Sequence, residues 1–271
     1  MPPRVVATDL DGTLLDPSGA VSARTRSALR RVQSLGVETV FVTARPPRWL
    51  DALANDVGGH GIVLCGNGAF VYDVRCQQVQ RTHGFDRPTL DRLVQRLRTT
   101  VPGIAFAAEC ADGSHAERAY PPYLPDCKPA DLLVEEMERL PAQTVVGKLL
   151  GRHPGLDPQE FLDQVVAAVG EEAVAAFSGA EGLAEMSPVG VSKAIALERW
   201  CGERGLGPDD VWAFGDMPND LPMLDWAGTS YAVANAHPQV LAAADRRCAS
   251  NAEDGVAQVL EALVGELAAT I

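Results

Sequence analysis

Strand-like and helix-like runs alternate at both ends of this chain, and the block 84–185 breaks the alternation. Val5-Val6-Ala7-Thr8 is a short, mostly apolar run of the kind shown by a strand buried on both faces. Ser22 fits the N-cap of a helix that carries Leu29, Val32 and Leu35 on one side and closes at Gly36. Val40-Phe41-Val42 reads as a second strand, and Trp49, Leu50, Leu53, Ala54 and Val57 follow at helical spacing. Ile62-Val63-Leu64 reads as a third strand. The same pattern resumes late in the chain. A helix carries Ile195, Ala196, Leu197, Trp200 and Cys201, a strand at Val211–Phe214 ends in Gly215-Asp216, and a last helix runs through Val256, Val259, Leu260 and Leu263. This order implies an α/β fold, a doubly wound and mainly parallel sheet with helices on its faces.

The middle block reads differently. A hairpin is expected at Phe70–Tyr72 and around Val79, just before it. Within it come an amphipathic helix through Leu90, Leu93, Val94, Leu97 and Val101, a strand at Ile104–Phe106, and a proline-rich loop at Tyr120–Pro125. A strand at Val145–Leu150, a helix through Phe161, Val165 and Val169, and a strand at Val174–Phe177 complete it. The expected organisation is a discontinuous core, 1–83 and 186–271, with an α+β domain inserted at 84–185. Hinges are expected near Gly84-Phe85 and Ser187–Gly190.

Composition excludes several classes. The chain has 271 residues, 46% of them hydrophobic and 22% charged, as in ordinary globular proteins. No apolar run approaches the roughly 18 residues of a membrane span. The start lacks the basic region, apolar core and small-residue site of a signal peptide, so a cytoplasmic protein is expected. The net charge of -13 supplies no basic patch for nucleic acid. It suits a divalent cation held among carboxylates. Six scattered cysteines without a C-x-x-C pair read as buried free thiols.

The chemistry-bearing segments share one place in the pattern. Asp9-Leu10-Asp11-Gly12-Thr13-Leu14-Leu15-Asp16 follows the first strand, where open α/β sheets place their ligands. Asp9 and Asp11, two apart, can face one site, and two close carboxylates call for a shared proton or a cation. Gly12 allows a sharp turn. The glycine sits fourth from Asp9, which excludes an EF-hand loop. A polar turn after a strand is the plainer reading. Val42-Thr43-Ala44-Arg45 ends the second strand, and the Thr43 hydroxyl could donate to a phosphate oxygen. Lys193, in Gly190-Val191-Ser192-Lys193, is one of only three lysines; a solvated first-turn lysine is the alternative. Asp216, Asn219 and Asp220 follow another strand, where an aspartate can equally be a helix cap. All four segments fall at strand carboxyl ends or at the helix starts that follow.

Asp9-Leu10-Asp11-Gly12-Thr13-Leu14-Leu15 resembles the signature of the haloacid dehalogenase-like superfamily. Thr43, Lys193 and Gly215-Asp216 with Asp220 are similar to its other motifs, in the same order. Gly66-Asn67-Gly68-Ala69, Asn235-Ala236-His237-Pro238 and Ser250–Val256 resemble the Cof-type phosphatases, which carry an α/β cap where the block 84–185 falls. The resemblance implies phosphoester hydrolysis through an aspartyl-phosphate. Asp9 would attack phosphorus, and Asp11 would act as general acid and then base. Mg²⁺ would be held by Asp9, Asp11 through its carbonyl, and Asp216, with Asp220 as a further candidate ligand. Thr43 and Lys193 would hold phosphate oxygens, and Gly12, Ala44 and Asn219 are further candidates for binding the phosphate or substrate. Asp220 would orient Lys193 or metal-bound water, with Asn219 beside it, and Arg45 would be a substrate contact. The cap's Arg118, Lys128, Lys148 and Arg152 could meet an anionic substrate. The expected partner is a small phosphorylated metabolite, with no nucleic acid and no membrane, for a monomer or homodimer. The second aspartate favours phosphoryl transfer over dehalogenation. A sugar phosphomutase and a non-catalytic phospho-metabolite binder are the rival readings. A receiver domain shares the residue types but is far shorter and carries its acceptor on a middle strand.

Overall fold

The computed structural model describes residues 2–50, 53, 57, 61–120, 132–176 and 182–269. The strands are β1 (Val5–Thr8), β2 (Glu38–Val42), β3 (Ile62–Cys65), β4 (Phe70–Asp73), β5 (Gln78–Thr82), β6 (Ala105–Cys110) and β7 (Gly113–Glu117). They continue as β8 (Leu132–Val134), β9 (Val146–Arg152), β10 (Ala173–Ala176), β11 (Leu183–Pro188), β12 (Val211–Gly215), β13 (Thr229–Val233) and β14 (Arg246–Cys248). The α-helices are α1 (Ala23–Ser34), α2 (Arg87–Thr100), α3 (Pro158–Val169), α4 (Lys193–Gly202), α5 (Leu221–Trp226), α6 (Pro238–Ala243) and α7 (Gly255–Ala268). Of the helix expected through Trp49 and Val57, Ala54 and most of its neighbours lie outside the described residues, as do Phe177, Cys127, Lys128 and the loop at 121–125.

The chain divides into two compact units. The first takes Met1–Arg45, Trp49–Arg81 and Ser192–Ile271; the second takes Pro46–Arg48 and Thr82–Val191. The first unit is built on an eight-stranded sheet in the order β14-β13-β12-β1-β2-β3-β4-β5. It is parallel from β14 to β3, and β4 pairs antiparallel to β3. Every residue of β1 and β12 is buried, which is why these strands read as unbroken apolar runs. From β1 the chain steps outward to β2 and β3 on one side and later to β12, β13 and β14 on the other. That reversal opens a crevice beyond the carboxyl end of β1. Helix α1 starts at the expected cap, where Ser22 accepts a hydrogen bond from Thr25 N, and it packs against α7.

The second unit holds a six-stranded sheet, β10-β11-β9-β6-β7-β8. Its pairings are antiparallel except β7 with β8. Helices α2 and α3 bring Leu90, Leu93, Leu97, Phe161 and Val165 onto the face that carries Phe106, Ala108, Leu149 and Met186. The opposite face carries Ala105, Ala107, Ala116, Leu150 and Leu183, and also three buried charges, Glu109, Lys148 and Glu185.

Three expectations change on this structure. β7 and β11 occupy stretches the apolar pattern leaves blank, because Ser114, Glu117 and Glu185 interrupt it while lying buried. Ser187 and Pro188 are the last residues of β11, paired to Val174 and Ala173, so the expected hinge begins inside a ladder. Cys76 is exposed, whereas Cys65, Cys110 and Cys201 are buried.

Candidate active site

The residues that follow β1 form one tight turn. Asp9 N donates to Phe214 O and so continues the β1–β12 pairing by one residue. Leu15 N then reaches back five residues to Leu10 O, at 2.9 Å. The turn needs Gly12, whose φ of +83° lies in the left-handed region, and a Cβ there would collide with the Asp216 carboxylate. Thr13 Oγ1 donates to Asp216 Oδ1 at 2.7 Å, tying the turn to the end of β12. Two asparagines brace it from outside. Asn235 Nδ2 donates to Gly12 O and Asn251 Nδ2 to Leu15 O, each at 2.8 Å, while Asn251 N donates to Asn235 Oδ1.

Lys193 opens α4, which Ser192 caps through its side chain. It is buried, in contrast to the solvated alternative. Its Nζ lies 2.5 Å from Asp9 Oδ1 and 2.6 Å from Asp220 Oδ1. The start of α4 can lie close because of Gly68, where a Cβ would stand 2.6 Å from both Ser192 O and Ala196 Cβ. Asp220 is fully buried, and its Oδ2 accepts from the backbone N–H groups of Asp216 and Met217. It therefore closes the turn after β12 and holds Lys193 with its other oxygen.

Carboxylate oxygens of Asp9, Asp216 and Asp220 lie within 4.8 Å of one another. Burial pushes Asp9 up to about 8, with Asp220 adding to the rise and the Lys193 ammonium opposing it. Burial likewise pushes Asp216 up to about 6, against the Thr13 hydrogen bond. Burial alone would lower Lys193; the carboxylates of Asp9 and Asp220 outweigh it and hold the amine well above its ordinary value. Three buried carboxylates thus face one ammonium. With all three ionised the shortfall is two positive charges, and the donors are oxygens, which suits a hard divalent cation.

Thr43 is buried at the end of β2; its N–H donates to Leu64 O, and its hydroxyl accepts from Arg45 N. Ala44 is half-buried between them. The Asp11 carboxylate stands apart from the three-acid group. It is turned to Arg45, which binds it through Nε and a terminal nitrogen at 2.8 Å and 2.5 Å. Asn219 is exposed on the turn before α5. The structure therefore brings Asp9, Thr13, Lys193, Asp216 and Asp220 together, and sets Asp11 with Arg45. Thr13 was not singled out by the sequence, although it lies within the signature. Of the second unit's cations, Arg118 forms an exposed pair with Glu135 and Arg152 is half-buried. Lys148 is buried against Glu185 at 2.9 Å.

The chain is 28% identical to YxeH of Bacillus subtilis (strain 168) over 96% of its own length and 98% of that protein's. It is 28% identical to the pyridoxal phosphate phosphatase YbhA of Escherichia coli (strain K12), with the same two coverages. The crystal structure of SMU.1108c from Streptococcus mutans UA159 superposes with a TM-score of 0.78, at 25% identity over 97% of this chain and 99% of that one. The model of the haloacid dehalogenase-like hydrolases matches residues 6–260, nearly the whole chain, and this protein belongs to that family.

Proposed function

We propose that this chain is a Mg²⁺-dependent phosphatase of small phosphorylated metabolites, working through a phosphoryl group carried on Asp9. The observation that carries the reading is the buried contact of Lys193 with both Asp9 and Asp220 beside Asp216. Asp9 and Asp216 would hold Mg²⁺ together with the backbone carbonyl of Asp11. When bound, the ion supplies positive charge that offsets repulsion between an anionic nucleophile and phosphoryl oxygens. Both oxygens of Asp220 already accept hydrogen bonds within the protein, so Asp220 acts as a positioning residue for Lys193.

In the first step an Asp9 oxygen bonds to phosphorus while the ester oxygen leaves with its electron pair and takes a proton from Asp11. Lys193 and the Thr43 hydroxyl hold the phosphoryl oxygens. In the second step water attacks the same phosphorus, Asp11 takes the water's proton, and inorganic phosphate leaves as Asp9 is regenerated. Splitting one displacement into two lets a single carboxylate serve as acid and then as base.

The similarity to a pyridoxal phosphate phosphatase supports phosphorylated cofactors within that substrate class. We assign substrate selection to the second unit, whose sheet face opposite α2 and α3 carries Glu109, Lys148 and Glu185.

The test is phosphate release from a panel of sugar phosphates, nucleotides and phosphorylated cofactors, with Mg²⁺ and with chelator. Release that needs Mg²⁺ and disappears in Asp9→Asn is expected. Isomerised sugar phosphate without free phosphate would make the chain a mutase instead.

A further inference from the structure

The second unit carries another cluster of ligand-type side chains, chemically unlike the three-acid group. β6 and β7 form a hairpin in which Cys110 pairs with Gly113 and Ala108 with His115. Side chains alternate along a strand, so Cys110 and His115 lie on the same face as diagonal neighbours. Asp112 sits in the two-residue turn between the strands, and its Oδ1 is 3.0 Å from His115 Nε2. The Cys110 sulfur, the His115 ring nitrogen and an Asp112 oxygen all lie within 4.8 Å of one another. Cys110 and His115 are 2% and 5% exposed, while Asp112 faces solvent.

We propose that Cys110, Asp112 and His115 form a Zn²⁺ site that fastens the tip of this hairpin, with water as the fourth ligand. Tetrahedral zinc with bonds of about 2.0–2.3 Å sets its ligand atoms about 3.5 Å apart. The hairpin register already brings the three donors to that scale from a six-residue stretch. The donor set also separates the two centres. Thiolate and imidazole favour Zn²⁺, whereas the carboxylates of Asp9 and Asp216 favour Mg²⁺. The open Asp112 side gives the ion an entry path. Without a cation, burial pushes the Cys110 thiol up to about 12, with the Asp112 and Glu109 carboxylates adding to the rise. The thiol is then protonated at neutral pH, and binding Zn²⁺ releases that proton to solvent. No electron is transferred.

The test uses Co²⁺ as the probe ion, added to the full chain in excess Mg²⁺ and a thiol-free reductant. The wild type should bind one Co²⁺ with a thiolate-to-metal absorption band and tetrahedral visible bands, displaced by Zn²⁺ and not by further Mg²⁺. Cys110→Ser should lose the thiolate band. Asp112→Asn alters only an exposed turn residue, so it folds, and it should weaken Co²⁺ binding by about 10-fold or more. Its Mg²⁺-dependent phosphate release should match wild type, which separates this site from the phosphatase centre. Absence of a thiolate band in the wild type overturns the proposal, and so does a band that persists in Cys110→Ser or an unchanged affinity in Asp112→Asn.

Discussion

Arg45 grips Asp11 in a two-point ion pair, 2.8 Å and 2.5 Å, across 34 residues of sequence. The pair fixes the direction of the carboxylate on the second aspartate of the signature. Both side chains keep solvent contact, at 25% and 56% exposure, so the pair contributes only about 0–1 kcal/mol to stability. In the proposed mechanism its role is to position the acid–base group. Asp11→Asn should lower kcat by about 10²–10⁴-fold, the usual weight of general acid–base catalysis. Arg45→Gln should lower kcat by less and leave the melting temperature nearly unchanged. In the Asp11→Asn background, Arg45→Gln should cost nothing more in kcat. Losses that simply add would show that Arg45 acts independently of Asp11.

Proton and cation compete for the three-acid group. Burial raises Asp9 to about 8 and Asp216 to about 6, so both carry protons over part of the range below those values. A cation that binds them must displace those protons. Mg²⁺ affinity should therefore rise as pH goes from 5 to 8 and level off above, as calorimetry at several pH values would read. In the metal-free protein the sign for stability is opposite. These two groups favour the folded state most below their ordinary value of 3.8, and that contribution is lost as pH rises through about 6 and about 8. Mg²⁺ affinity that does not change across this window would contradict the account of the group.

Gly12 combines a left-handed backbone with direct contact to Asp216. Gly12→Ala should lower stability by about 1–3 kcal/mol from backbone strain. It should also weaken Mg²⁺ binding, because the Asp216 carboxylate has to move. Thermal unfolding and calorimetry read the two effects separately. A variant that is destabilised but binds Mg²⁺ as wild type would show that Gly12 serves the turn alone.

The parts of the fold that are buried on both faces are legible in the sequence. β1 and β12, buried along their whole length, and the last three residues of β2 and β3 stand out because a strand covered on two sides needs mostly apolar residues. The carboxyl ends of β1, β2 and β12 then locate Asp9, Thr43 and Asp216. β7 and β11 escape the same reading because their buried polar groups are satisfied by partners distant in sequence. Glu117 accepts from Phe106 N and Met137 N and pairs with Arg98, and Glu185 pairs with Lys148. The burial of Lys193 is equally invisible locally, since it depends on Asp9, 184 residues away. Asn235 and Asn251 mark the family in sequence, but their work, bracing the Gly12 turn, appears only once the loops are assembled.

The central claim is that Asp9 carries the phosphoryl group. The direct measurement uses Asp11→Asn with an aryl phosphate, whose phenolate leaves without a proton, so that forming the acyl phosphate does not need Asp11 while hydrolysing it does. The enzyme is mixed with Mg²⁺ and that ester, quenched in acid, reduced with borohydride and digested for peptide mass analysis. The account predicts homoserine, the reduction product of aspartyl phosphate, at position 9 and nowhere else, and none in Asp9→Asn. Turnover by the wild type with no reducible adduct at Asp9, or with the adduct on another aspartate, would contradict it.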